Sequence, residues 1–290
     1  MTPDRRGQLY MTATAVVFAA QDGISQHLAS TYNVIMIVMI RYWFFAAFVV
    51  GISMRERGGL ARVAQSAFPK VQALRGVLLA LEICVMVGAF TLLGLVESHA
   101  VFVAYPLLVA ALSGPVLGEY VGWRRWAAIG VGFMGVLFIL RPGVGVFSPY
   151  ALVPLASATM FALYALLTRF VARRDSAATS FFWTGTVGAV FMTCLGMWFW
   201  EPMSKTDWMW MAALCVTGAF GHWLMIKAYE AAEASSIQPL AFLQSLFAAG
   251  IGIMLFGEVL EWPVLVGAFL IVGAGLFTLY RARAQGRADQ

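Results

Sequence analysis

The chain consists of long apolar stretches separated by short polar segments. Each stretch holds about 20 mostly apolar residues, the length that an α-helix needs to cross the hydrocarbon core of a membrane. Ten such stretches are predicted spans, at residues 8–28, 33–54, 73–96, 99–117, 123–140, 148–171, 178–200, 208–229, 235–256 and 262–280. The longest connection runs from 55 to 75. The pattern therefore predicts an all-α polytopic membrane protein with ten transmembrane helices.

The amino-acid composition agrees with this prediction. Hydrophobic residues make up 61% of the 290 positions and charged residues only 11%. Soluble domains carry about 25% charged residues, so this composition excludes a soluble enzyme domain and a disordered chain. The three cysteines lie singly in apolar stretches, and none forms a CxxC pair, which argues against a disulfide scaffold.

The basic residues indicate how the chain crosses the membrane. If the N-terminus is cytoplasmic, 16 of the 19 Lys and Arg residues fall on or beside the cytoplasmic face, and only Arg141 and Lys205 fall outside. Such asymmetry is the usual positive-inside signal. It predicts that both termini are cytoplasmic and that the number of spans is even. The excess of basic residues is therefore explained by the membrane topology, and we expect no nucleic-acid partner.

A pattern in the first half of the chain returns in the second half. Gly118-Glu119 ends one apolar helix and Gly257-Glu258 another, and a Trp follows each Glu by four residues. The offset of 139 residues is close to half the chain, so each copy holds five spans. Because five is odd, the copies enter the membrane in opposite directions. Secondary transporters use such inverted repeats, with the substrate site near the midplane.

These paired helix–Gly-Glu–helix units resemble the EamA unit of the drug/metabolite transporter superfamily, including the YddG-like bacterial exporters of amino acids and metabolites. The resemblance implies two inverted five-helix repeats, at 1–145 and 146–290, around a central cavity lined mainly by helices 1, 3, 4, 6, 8 and 9. It also implies alternating access and export across the bacterial inner membrane. The two acids, Glu119 and Glu258, are expected to cap the N-terminal amides of the helix that follows each of them.

The leading functional hypothesis is a secondary transporter that exports small polar metabolites, most simply amino acids. The alternatives are an exporter of drugs or nucleotide-related metabolites, a passive small-solute channel, and an intramembrane enzyme. We expect no catalytic residues, no cofactor and no metal, because no catalytic or ligand spacing is found. The GxGxxG match at 130–135 lies inside a predicted helix and is interpreted as close helix packing. The expected partners are a small-molecule substrate and the lipid bilayer.

Polar residues within the spans are the candidate substrate-binding residues. An ionisable side chain at the bilayer centre costs about 2.5–3.5 kcal/mol on insertion scales, so such residues usually pair or line a polar path. The candidates are Asp22, Arg41, Glu82, Tyr105, Tyr164, His222 and Gln244. Gln244 and Tyr105 occupy corresponding positions in the two repeats. A lone Gln or Tyr also serves as a helix–helix hydrogen bond, which is the simpler interpretation of both.

Two pairs among these candidates share a predicted depth. Glu82 and His222 both lie in the inner half and are expected to line the cytoplasmic side of the cavity. Asp22 and Arg41 lie near the midplane on neighbouring antiparallel helices and are expected to interact, directly or through water. The Asp22–Arg41 pair is either a structural ion pair or a pair of opposite charges offered to a zwitterion.

Overall fold

The computed structural model describes residues 3–55, 58–118, 122–140, 149–231, 240 and 242–288. Within these residues the chain forms α-helices and two short 3₁₀ turns, at Pro149–Ala151 and Met197–Phe199, and no β-strand. The helices are α1 (Pro3–Ala29), α2 (Val34–Ser53), α3 (Gly59–Ala64), α4 (Pro69–Phe102), α5 (Tyr105–Leu117), α6 (Trp123–Leu140), α7 (Leu152–Val171), α8 (Ala177–Gly196), α9 (Lys205–Ala231), α10 (Phe242–Phe256) and α11 (Trp262–Ala288).

The helices have the character expected of membrane segments. In the described part of the chain, four helical segments are long and apolar enough to span a bilayer: 34–53, 69–102, 149–171 and 177–199. Shorter apolar helices accompany them. Each of the ten predicted spans overlaps a helix, while the short α3 lies in the long connection. The helical membrane-protein class is therefore confirmed, and the count of ten spans stays a prediction.

The third and fourth predicted spans meet at a sharper turn than the sequence indicates. Gly94 interrupts α4 with φ 78° and ψ 178°, values that favour glycine. The rings of Phe90 and His99 stack with centroids 5.5 Å apart. In a straight helix these residues would be separated by about 13 Å along the axis. The chain thus folds back at Gly94, and the helical segment that was predicted to begin at residue 99 begins at Leu95.

Glycines allow α6 and α11 to approach closely. A Cβ added at Gly135 would lie 2.6 Å from the carbonyl oxygen of Gly267, and one added at Gly267 would lie 2.5 Å from the carbonyl oxygen of Gly135. The packing interpretation of the GxGxxG match is therefore confirmed for Gly135. Elsewhere in the bundle, α1 packs mainly on α9 and α10, and α4 packs on α7, α8 and α10.

A polar network joins three segments at the end of the bundle predicted to face outward. Asp207, in the first turn of α9, accepts hydrogen bonds from the Tyr32 hydroxyl at 2.6 Å and from the Ser204 hydroxyl at 2.7 Å. These bonds lower the pKa of the Asp207 carboxyl below its ordinary value. His27 lies 3.8 Å from the same carboxylate. The network holds the connection between α1 and α2 against the start of α9.

Candidate functional site

Asp22 is the centre of a buried polar cluster. It lies on α1, and its side chain is only 13% exposed. One carboxylate oxygen, Oδ2, accepts a hydrogen bond from Gln244 Nε2 at 2.9 Å and lies 3.2 Å from His99 Nε2. Among the described residues, no Lys or Arg side chain forms an ion pair with this carboxylate. Of the two side chains that contact Asp22, only His99 can carry a positive charge, and only when it is protonated.

His99 has hydrogen-bonding capacity that the described residues leave unused. The side chain is 2% exposed, stacked on Phe90 and edge-on to Phe102. Its Nε2 is within ion-pair distance of Asp22 but is not aligned for a hydrogen bond, and Nδ1 has no hydrogen-bond partner among the described residues. The neighbouring Ser98 hydroxyl is equally buried and unpartnered there. Unsatisfied buried polar groups are rare in proteins, so these groups are candidates for binding a ligand or a water molecule.

The Asp22 cluster connects the two halves of the chain. Asp22 and His99 come from the first predicted repeat, on α1 and α4, and Gln244 comes from the second, on α10. Any movement of one half against the other changes the distances between these three side chains. A site between two repeats is the arrangement that alternating access requires.

Glu258 connects the same three helices, α1, α4 and α10, at a point closer to the predicted outer end. Its carboxylate accepts from the Leu95 and Val96 amides at 2.8 and 2.7 Å, and from Gln26 Nε2 at 3.0 Å. The expectation that Glu258 caps the helix following it is wrong: it caps the segment beginning after Gly94, because the fold-back there exposes two amides beside the end of α10. Glu119 lies outside the described residues.

Arg41 forms no direct ion pair with Asp22, so the direct form of the expected interaction is wrong, while the contact through water stays a prediction. Within the described residues its guanidinium forms no ion pair and lies against α9, where a Cβ added at Gly218 would come within 3.4 Å of Nε. The side chain that accompanies it there is Gln21, whose Oε1 would lie 3.2 Å from the same Cβ. Successive residues on a helix point about 100° apart, so Gln21 faces Arg41 while Asp22 faces α4 and α10.

Arg41 and His222 line a small internal cavity. Its volume is about 20 Å³, enough for one water molecule. Leu79 and Ile83 of α4 line the same cavity, together with Phe45 of α2. The imidazole Nδ1 of His222 lies 2.8 Å from the carbonyl oxygen of Gly218, and Phe18, Phe45 and Phe181 surround the ring.

Glu82 lies at the level of this cavity but does not line it. Its neighbours Leu79 and Ile83 face His222, whereas the Glu82 carboxylate faces α7 and accepts a hydrogen bond from Ser157 Oγ at 2.7 Å. The side chain is 4% exposed. The structure therefore places Glu82 and His222 at one depth, as expected. His222 of α9, however, packs against the face of α4 that carries Leu79 and Ile83, whereas Glu82 points toward α7.

Arg75 is a further buried charge, which the sequence placed only among the basic residues on or beside the cytoplasmic face. It is 1% exposed. Its Nε donates to Thr168 Oγ1 at 2.9 Å, its Nη1 donates to Gln72 Oε1, and its guanidinium lies 5.0 Å from the centre of the Tyr164 ring. Asp175, which accepts from Gln72 at 2.8 Å, completes the network at the predicted inner end. Tyr164 is thus a partner of Arg75.

Tyr105 contacts other aromatic rings. Its ring lies 5.4 Å from Phe102 and 4.9 Å from Phe161. The site therefore has two parts: a polar cluster between the two halves, and an aromatic region between α4, α5 and α7. His99, Arg75 and Ser157 were missed in the sequence. The only available signal was that each is a polar residue within or beside an apolar run.

These features define a class: a helical membrane protein with a polar site between two related halves. Comparisons with known proteins identify the family. The model of the EamA-like transporter family matches residues 5–141 and again 148–280. The chain belongs to the EamA-like transporter family, whose domain occurs in it twice. It is accordingly a membrane-embedded transporter of small molecules and not an enzyme.

Individual relatives agree with this assignment. The chain is 23% identical over 274 residues to the S-adenosylmethionine uptake transporter of Rickettsia prowazekii, covering 94% of this chain and 92% of that protein. It is 25% identical to the riboflavin transporter of Vibrio cholerae, with 92% and 90% covered. It is 23% identical to the pseudopaline exporter CntI of Pseudomonas aeruginosa, with 93% and 94% covered.

A solved structure shares the fold. A crystal structure with 17% sequence identity superposes with a TM-score of 0.63, covering 96% of this chain and 98% of the other. The architecture described above is therefore shared along nearly the whole chain.

Proposed function

We propose that the protein is a secondary transporter that carries a small polar metabolite with a cationic group across the bacterial inner membrane. The observation that carries the proposal is the Asp22 cluster, in which a buried carboxylate without a Lys or Arg partner among the described residues lies between two repeats. A substrate cation supplies the missing charge. Because the cluster draws on both halves, binding and release are coupled to their relative movement.

The substrate class we propose is amino acids and their derivatives. Asp22 receives the amino group or another cationic centre. Arg41, whose guanidinium forms no ion pair within the described residues, receives the carboxylate. The Rickettsia relative is named for S-adenosylmethionine, an amino-acid derivative that carries a sulfonium cation, and this supports the same class.

Export is the direction expected from sequence, and we retain it as part of the proposal. The named relatives include both uptake transporters and an exporter. The sequence shows no ATP-binding loop, so an ion gradient or the substrate's own gradient supplies the energy. Flux measured in both directions in oriented vesicles tests this: faster movement from the cytoplasmic side supports export, and faster movement from the other side refutes it.

The topology belongs to the same proposal. It has repeats at 1–145 and 146–290, ten spans, and both termini in the cytoplasm of a bacterial inner-membrane protein. Single cysteines introduced at Gly145 and Met203 of a cysteine-free protein are expected to react with an impermeant reagent added from outside. Reaction from the cytoplasmic side alone contradicts the topology.

A binding screen tests the role of Asp22. Ligands that bind the folded state raise its melting temperature. We expect amino acids or S-adenosylmethionine to raise the melting temperature of the purified protein in detergent. Asp22→Asn is expected to abolish this shift while remaining folded. Asp207→Asn is the matched control, since it removes the same charge at the predicted outer end. Equal shifts in wild type and Asp22→Asn refute the assignment.

A further inference from the structure

One face of α7 points into the bundle. Its positions are spaced by four, three and four residues, so they fall on one side of the helix. They are Ser157, Phe161, Tyr164 and Thr168. The first donates a hydrogen bond to Glu82, and the last accepts one from Arg75. Because both partners are buried charged residues of α4, this face of α7 is turned toward the interior and away from lipid.

The aromatic residues of this face continue into α4 and α5. The rings of Tyr164 and Phe161 lie 6.0 Å apart, and those of Phe161 and Tyr105 lie 4.9 Å apart. Phe102 lies 5.5 Å from Phe161. We name these four residues the aromatic file. None of its members is fully buried, although all belong to the interior-facing region between the helices. Part of each side chain is therefore accessible and not covered by protein.

The aromatic file connects two groups of opposite charge. At one end, the ring of Phe102 lies 6.3 Å from that of His99, which contacts Asp22. At the other end, the guanidinium of Arg75 lies over Tyr164. A molecule whose cation is held at Asp22 therefore meets an aromatic wall on its inner side.

We propose that the aromatic file is the subsite for a planar ring of the substrate. This inference rests on the proposed function and narrows it: the preferred substrates are those that carry a flat aromatic or heteroaromatic group in addition to the cation bound at Asp22. Aromatic walls suit such rings because offset-stacked and edge-to-face contacts between ring systems are favourable. One lost stacking contact lowers affinity roughly tenfold.

The test compares pairs of probes that share the amino-acid group and differ in whether the rest of the molecule carries a planar ring system. S-adenosylmethionine is paired with S-methylmethionine, and tryptophan with leucine. Binding is measured by the shift in melting temperature over a range of concentrations. In the wild type, the ring-bearing member of at least one pair is expected to bind more tightly. Phe161→Leu and Tyr105→Leu are expected to lower its affinity roughly tenfold and to leave the ring-free member within twofold.

Phe170→Leu is the matched control. Phe170 lies on the same helix but packs on Phe68, outside the aromatic file, so both members of a pair are expected to keep wild-type affinity. If Phe161→Leu fails to fold, Tyr105→Leu and the wild-type preference decide the question. Equal binding of ring-bearing and ring-free probes by the wild type overturns the inference but not the proposed function. If Asp22→Asn prefers the ring-bearing probe as strongly as the wild type does, the assignment of Asp22 as the cation site is overturned instead.

Discussion

Glu258→Ala removes the carboxylate that holds three helices together. The substitution leaves the Leu95 and Val96 amides and the Gln26 side chain without their acceptor. A hydrogen bond to a charged group contributes about 1.5–3 kcal/mol, and an unsatisfied buried donor costs a further 1–3 kcal/mol. These terms are not additive, because the three donors share one carboxylate, so we expect a loss of about 3–5 kcal/mol in stability.

The assay is thermal unfolding of the purified protein in detergent. A loss of 1 kcal/mol lowers the melting temperature of a domain of 150–250 residues by roughly 2–4 °C. Glu258→Ala should therefore melt at least about 6 °C below the wild type. Glu258→Gln should lie between the two, because its amide oxygen still accepts from a backbone amide but carries no charge.

Glu261→Gln provides the matched control. This exposed acid lies three residues further along the same connection, and its substitution leaves the Leu95, Val96 and Gln26 donors with their acceptor, so it is expected to lower the melting temperature less than Glu258→Ala does. The reasoning is refuted if Glu258→Ala melts with the wild type, or if Glu261→Gln lowers the melting temperature as much. Either result would show that the bonds at the Gly94 turn do not hold the helices together.

Three further outcomes follow from individual contacts. Arg75→Lys should lower stability by about 1–3 kcal/mol, because one ammonium cannot reach Thr168, Gln72 and the Tyr164 ring together; unchanged thermal unfolding would contradict this. Gly94→Ala should reproduce the Glu258→Ala phenotype, since its Cβ would lie 2.5 Å from Glu258 Oε1; a wild-type melting curve would show that the turn tolerates a side chain. Because the pKa of Asp207 is depressed, its ionised form stabilises the fold at pH values above the ordinary pKa of 3.8, and this contribution is lost as the pH falls through the lower pKa of the folded state. The difference in stability between wild type and Asp207→Asn should therefore shrink below about pH 4. A difference that stays constant would refute this reasoning.

The helical architecture could be predicted because long apolar runs have few alternatives in a membrane. The inversion of the repeats rests on the number of spans in each copy and stays a prediction. The turn at Gly94 was placed too late in the chain, because apolar residues continue on both sides of it. As a result, His99, which lies one turn after the start of the helical segment at Leu95, was not recognised as a candidate.

The partners of the polar residues could not be predicted because a sequence indicates the depth of a residue in the membrane better than the direction in which its side chain points. Each residue advances 1.5 Å along a helix but turns 100° around it. Asp22 and Arg41 were assigned a common level, yet the packing of α1 directs Asp22 toward His99 and Gln244. For the same reason, Glu82 and His222 were predicted to line one cavity, although only His222 does so. Tertiary packing decides which face of a helix meets which neighbour, and no local pattern records it.

Counterflow in proteoliposomes shows whether the protein is a transporter that binds its substrate at Asp22. Vesicles containing the wild-type protein are loaded with an unlabelled amino acid or S-adenosylmethionine and placed in the labelled compound. We expect transient, saturable accumulation of label, which Asp22→Asn abolishes and Asp207→Asn retains. Equilibration without accumulation or saturation would indicate a channel. Wild-type counterflow by Asp22→Asn would contradict the claim that the cluster between the two halves binds the substrate.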